Sequence, residues 1–123
     1  MASDKEKMQE WLERLRKNQE YIIVEGSNDK KALVALGINP NLIIIFGTAP
    51  YKLAEDLSKI TKKVVLLVDL DKEGKKIYAN LKENLNRVGV QVDHYFRRML
   101  FKYSELSHIE GAFTYFRNLG LVE

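Results

Sequence analysis

The stretch VVLLVDLDKEG, residues 64–74, decides how the rest of the chain is read. Five apolar residues, mostly β-branched, run without interruption into Asp69 and Asp71. A short continuous apolar run of this kind reads as a strand covered on both faces, as in a parallel sheet. Ending it in two acids one residue apart is costly. Charge resists burial, and like charges a few ångströms apart repel by about 1 kcal/mol in water and about 4 kcal/mol near a protein surface. A divalent cation reverses the sign of that repulsion. Because the chain turns at the strand's end, both side chains can reach one ion, directly or through water.

Plainer roles exist for both acids. Asp69 can be an exposed strand-end acid or the phosphoacceptor of a receiver-like domain. Asp71 can be the N-cap of a helix that starts at Lys72. A calcium loop is excluded: a helix should precede it, and its twelfth position would be Asn80 rather than a bidentate glutamate.

Outward from this stretch, strands and helices alternate. Residues 4–18 place Met8, Trp11, Leu12 and Leu15 on one helical face, behind a Ser3–Glu6 capping pair. EYIIVEG is a buried strand stopped by Gly26, and the helix NDKKALVAL follows, capped by Ser27 or Asn28 and ended by Gly37. Residues 42–46 are a second strand, followed by a helix with Pro50 in its first turn. After the strand KVVLLV comes a helix with Ile77, Leu81, Leu85 and Val88 on one face, ended by Gly89. VQVDHYF is a fourth strand, and Ser107 with Glu110 caps a final helix over about 107–118. The order α, β-α-β-α-β-α-β, α predicts a three-layer α/β/α fold with a four-stranded, mainly parallel sheet.

In such sheets the working surface lies outside the carboxyl ends of the strands. Glu25 ends the first strand and Asp69 the third, with Asp71 just beyond. If those strands are neighbours, three carboxylates converge in one crevice, and the strand order becomes 2-1-3-4.

Composition narrows the chemistry. One domain over residues 1–123 is the expectation for this length, and 46% hydrophobic residues supply a core. There are no cysteines and two histidines, His94 and His108. Thiolate sites are therefore excluded, and any metal is expected to sit on oxygen ligands. The net charge of +3 does not by itself imply a polyanionic partner. No apolar run approaches the ~20 residues of a membrane span, and the polar N-terminus lacks a signal-peptide core, so a cytoplasmic protein is expected.

Together these pieces resemble the Toprim domain family. That family is shared by bacterial-type primases, topoisomerases, overcoming-lysogenization-type nucleases, recombination-repair proteins and ribosomal RNA maturation nucleases. IIVEGSNDKKAL resembles its glutamate motif at Glu25, and VVLLVDLDKEGKK its D-x-D motif at Asp69 and Asp71. The likeness to primases extends to Gly26 and Asp29, to Gly47, Thr48 and Ala49, and to Gly74, and covers about residues 20–95. The size is similar to that of small stand-alone primase-like Toprim proteins found mainly in archaea.

The resemblance implies a magnesium-dependent site, manganese being an alternative, that acts on the phosphates of RNA or DNA. Asp69 and Asp71 would hold the metal, and Glu25 would do acid–base work or share the ion. The zinc-binding domain and polymerase half of primases, and the tyrosine domain of topoisomerases, have no counterpart in this chain. A nuclease (a hydrolase) or phosphotransferase therefore fits better, with a non-catalytic module that binds nucleic acid or recruits a partner as the alternative. A receiver-like signalling domain fits poorly, because the acids are split between two strands and the late strand-end lysine is not evident.

Lys31, Lys72 and Lys75 begin helices beside the crevice and are candidates for phosphate contact, as are the loop residues Gly26, Gly47 and Thr48. Arg97 and Arg98 lie past the fourth strand among Tyr95, Phe96, Phe101 and Tyr103. They suit either nucleic-acid contact or packing, and Phe113, Tyr115 and Phe116 suit core or a homodimer contact. His108 reads as surface.

Overall fold

The computed structural model describes residues 3–47 and 49–123; the Thr48 expectation therefore lies outside the described residues. Strands β1 (Tyr21–Val24), β2 (Ile43–Ile45), β3 (Lys63–Leu66) and β4 (Gln91–Asp93) form one sheet in the order β2-β1-β3-β4. Every pair is parallel, with Ile22 opposite Ile43 and Val65, and Val64 opposite Val92. Parallel neighbours need long crossovers, and helices supply them. These are α2 (Ser27–Ala35), α3 (Pro50–Ser58) and α4 (Lys72–Arg87). The strand order is the one that converging acids require.

The pleat divides the core in two. Ile22, Val24, Val65 and Leu67 point to one face, where they meet α1 (Asp4–Lys17), α2, α5 (Tyr95–Tyr103) and α6 (Ala112–Asn118). Ile23, Val64 and Leu66 point to the other, against Ala54 and Leu57 of α3 and Leu81 and Leu85 of α4. This alternation covers both faces and makes the three layers. Trp11 of α1 anchors the first face. Its indole N–H donates to the Phe96 carbonyl at 2.7 Å, and its ring stacks on Phe116 at 5.5 Å. The apolar run of residues 64–68 is fully buried throughout.

Three local expectations are corrected. The fourth strand is short: it stops at Asp93, whose Oδ1 accepts the Tyr95 N–H at 2.9 Å and turns the chain into α5. Phe96 and Leu100, one helical turn apart, are the buried residues of that helix. The C-terminal helix does not start behind Ser107. Residues Ile109–Gly111 form a 3-10 turn and α6 begins at Ala112, because Asp69 takes the Ile109 N–H. Nor does Ser27 or Asn28 cap α2; Gly26 stands at the N-cap, and Asp29 Oδ2 accepts its N–H at 3.0 Å. Among the described residues, no helix is long and apolar enough to cross a membrane.

Candidate metal centre

β1 and β3 are adjacent, so their carboxyl ends bring Glu25 to Asp69. Glu25 Oε2 accepts the Asp69 main-chain N–H at 2.6 Å. Asp69 then uses Oδ1 to accept the Ile109 N–H at 2.7 Å. Asp71 caps α4, its Oδ1 accepting the Gly74 N–H at 2.7 Å, while its Oδ2 lies 3.1 Å from His108 Nε2. The helix-cap role and the site role of Asp71 thus fall on different oxygens. The Leu70 N–H donates to the Ser107 carbonyl at 2.8 Å. Three successive residues, 69–71, are in this way tied to three others, 107–109.

Two further residues hold the aspartate loop in shape. Arg97 of α5 donates from Nε to the Val68 carbonyl and from Nη2 to the Asp69 carbonyl, both at 2.9 Å. Its guanidinium lies over the Tyr78 ring, 4.6 Å from the centroid. Gly74 is buried against the Asp69 main chain, and a Cβ there would overlap the Asp69 carbonyl. The glycine of the D-x-D-x-x-G pattern is required for this close approach.

The electrostatics separate the acids. Burial pushes the Glu25 carboxyl above the usual glutamate range, and the nearby charges of Asp69 and Asp71 add to the shift, against the Asp69 N–H bond. Asp71 is held below the usual aspartate range, first by the Gly74 N–H and then by His108. Neighbouring carboxyls driven in opposite directions suit a division between proton carrier and anionic ligand. Burial also raises Asp29, which is only 6% exposed.

One ligand atom each from Asp69, Asp71 and His108 lies within 4.8 Å of the others. Ligands about 2.1 Å from a hard cation stand roughly 3–4 Å apart around it, so these three can share one ion. Glu25 lies behind Asp69 and is not a member of that trio. His108 adds an imidazole nitrogen to the oxygen ligands that the sequence suggests. No local spacing marked it, because it comes from a segment 37 residues beyond Asp71.

The remaining sequence candidates lie in the loops after β1 and β2 and on α2, α4 and α5. Lys31, Lys72, Lys75, Gly47 and Arg98 are exposed. Gly26 has committed its N–H to Asp29, and nothing stands within 4 Å of where its Cβ would lie. Arg97 reaches the acidic edge as a brace on main-chain carbonyls. Of the aromatic group around it, Phe96 is core, Tyr95 lies under Arg14 and Tyr103 under Lys7.

A family model described as Toprim-like matches residues 22–102, a span that holds both acidic motifs and Arg97. The chain belongs to the Toprim-like family. The Toprim-like span begins in β1 and ends in α5, so His108 lies just outside it. A UPF0292 protein of Methanocaldococcus jannaschii is 36% identical over 115 residues, which cover 89% of this chain and 90% of that protein. A UPF0292 protein of Pyrococcus abyssi is 32% identical over 89 residues, covering 72% and 67%. Both relatives are archaeal, in keeping with a small archaeal Toprim-like protein. A solved structure of a putative protein from Aquifex aeolicus superposes with a TM-score of 0.74 at 38% identity, covering 82% of this chain and 94% of that one.

Proposed function

We propose that this Toprim-like protein uses a divalent cation, held by Asp69, Asp71 and His108, to act on the phosphodiester backbone of RNA or DNA. The reaction is nuclease cleavage or a primase-like phosphoryl transfer. One observation carries the reading: the Glu25 carboxylate sits 2.6 Å from the Asp69 main chain. Two motifs 44 residues apart therefore form a single acidic centre in a domain of a nucleic-acid-processing family.

A bound cation would supply charge neutralisation and polarise a phosphoryl oxygen. The chain's own residues divide the remaining work. Asp69 and Asp71 hold charge at the edge of the sheet. Glu25, with its raised affinity for a proton, gives or takes that proton beside them. The exposed Lys31, Lys72, Lys75 and Arg98 attract the polyanion towards an otherwise repulsive centre. Magnesium suits the carboxylates, while the imidazole shifts the set towards manganese. The unit is one domain over residues 1–123, and a cytoplasmic setting accords with a nucleic-acid substrate.

A second reading is a binding or partner-recruiting module without catalysis, including a homodimer. It is favoured by the structural duties of the acids, since Asp69 ties down Ile109 and Asp71 caps α4. Incubation of RNA and DNA with magnesium or manganese separates the readings. Cleavage or transfer that is abolished by EDTA and by each of Asp69→Asn, Asp71→Asn and Glu25→Gln supports the enzyme. Strand binding that survives EDTA, with no turnover, supports the module.

A further inference from the structure

A cavity of about 370 Å³ opens between α4 and α5, and one of its walls is Leu70, the residue between the two aspartates. This volume falls within the ~300–1,000 Å³ of small-ligand sites. Tyr78 of α4 and Phe101 of α5, both half-buried, contribute aromatic surface. The Arg97 guanidinium lies near both rings, 4.6 Å from the Tyr78 centroid and 5.7 Å from that of Phe101. Arg98, Lys102 and His94 complete the lining, and all three are exposed. Among the described residues no carboxylate lines the cavity, although 17 acidic residues are present in the chain. A larger cavity, about 790 Å³ beside α5 and α6, differs in this respect: Asp4 and Glu105 share it with Lys102.

We propose that the Tyr78–Phe101 cavity receives one unpaired nucleotide of a single-stranded nucleic acid. The base lies against Tyr78, Phe101 and the Arg97 plane. The phosphate of the same nucleotide is met by Arg98 and Lys102. Any base offers a π face to such a platform, so recognition is of an unpaired base rather than of a sequence. A duplex is excluded, because its bases are stacked on one another and cannot enter. The inference rests on the reading of nucleic acid as the ligand and deepens it: the substrate is single-stranded, and a phosphodiester next to the seated nucleotide is presented to the loop of Asp69 and Asp71.

The experiment is fluorescence anisotropy with end-labelled ten-nucleotide probes: an intact single strand, an abasic strand of equal length and a duplex, each titrated in EDTA and in magnesium. The intact strand binds about tenfold tighter than the abasic strand or the duplex in both conditions. Tyr78→Leu and Phe101→Leu remove that preference, so that the intact strand binds no tighter than the abasic strand. Tyr78→Phe, which keeps the ring, retains it. Arg98→Ala and Lys102→Ala, at exposed positions that leave the fold intact, weaken every probe and each lower the salt slope by about 0.7. Equal binding of intact and abasic strands, tighter binding of the duplex, no binding of any strand, or a preference that survives both leucine variants would overturn the proposal. The EDTA arm keeps the two readings apart. Base preference without metal-dependent turnover defeats only the catalytic reading, and turnover without base preference defeats only this one.

Discussion

Arg97 and Asp69 are joined main chain to side chain: the guanidinium of Arg97 donates to the Asp69 carbonyl at 2.9 Å, and to that of Val68 at the same distance. The acid that would bind a cation is thereby positioned by a cation from α5. The contact is with the peptide carbonyl, so Arg97 does not occupy the Asp69 carboxylate. Burial makes Arg97 easier to deprotonate than a free arginine, with the neighbouring charges of Glu25 and Asp69 opposing that change. Arg97→Met keeps the stem over Tyr78 and leaves two carbonyls without a donor. Chemical denaturation is expected to show a loss of about 2–3 kcal/mol. Arg97→Lys, unable to reach both carbonyls in one plane, recovers only part of that loss.

Gly74→Ala reverses an ordinary rule. Alanine in a helix normally stabilises by about 1 kcal/mol relative to glycine. At Gly74 the new methyl meets the Asp69 carbonyl, and main chain cannot yield as a flexible side chain would. The expected outcome is a loss of about 2–4 kcal/mol in a thermal or denaturant melt, with weakened manganese binding. The same substitution at Gly26, where nothing stands within 4 Å of the Cβ position, serves as the control for space.

Stability should depend on pH through Glu25. Its folded-state pKa is raised, so between the ordinary glutamate value and the raised one the folded chain holds more protons than the unfolded chain. Stability therefore falls as pH rises through that window. Asp71 runs the other way: its depressed pKa contributes stability that is lost as pH falls through the folded value. Denaturation in EDTA across mildly acidic to neutral pH should show a shallower fall for Glu25→Gln than for the parent. The variant should also melt a few degrees higher at neutral pH, because the cost of burying a charge is gone, and with it the smaller repulsion by Asp69 and Asp71.

His108 should matter to the metal and little to the fold. It is exposed and sits 3.1 Å from Asp71 Oδ2. Manganese titration followed by electron paramagnetic resonance should show one ion per chain, absent in Asp69→Asn/Asp71→Asn. His108→Ala is expected to weaken that ion roughly tenfold or more, with the melting temperature nearly unchanged. Unaltered manganese affinity in His108→Ala would return the site to carboxylates alone.

Legibility in the sequence followed the range of the interaction. The run of residues 64–68 and the helical spacing of Met8, Trp11, Leu12 and Leu15 state their burial locally, because the periods 2 and 3.6 are properties of the backbone. HYFRRMLFKY was harder. Its aromatic and β-type start resembles a continuing strand, and only the spacing of Phe96 and Leu100 betrays a helix. The capping pair Ser107–Glu110 misleads because Asp69, distant in sequence, competes successfully for the Ile109 N–H. Arg97 showed itself as a charge at the right edge, but its targets are main-chain carbonyls, which no side-chain pattern encodes.

The sequence by itself determined the alternation of strands and helices, the burial of the central strand and the identity of the three acids, because each depends on neighbours a few residues away. Tertiary structure alone decided that His108 joins Asp71, that Arg97 braces Asp69 and that Tyr78 and Phe101 share a cavity. Those pairings depend on how separate layers dock on the sheet. Docking is settled by the summed packing of both cores, and no single stretch of chain carries that sum.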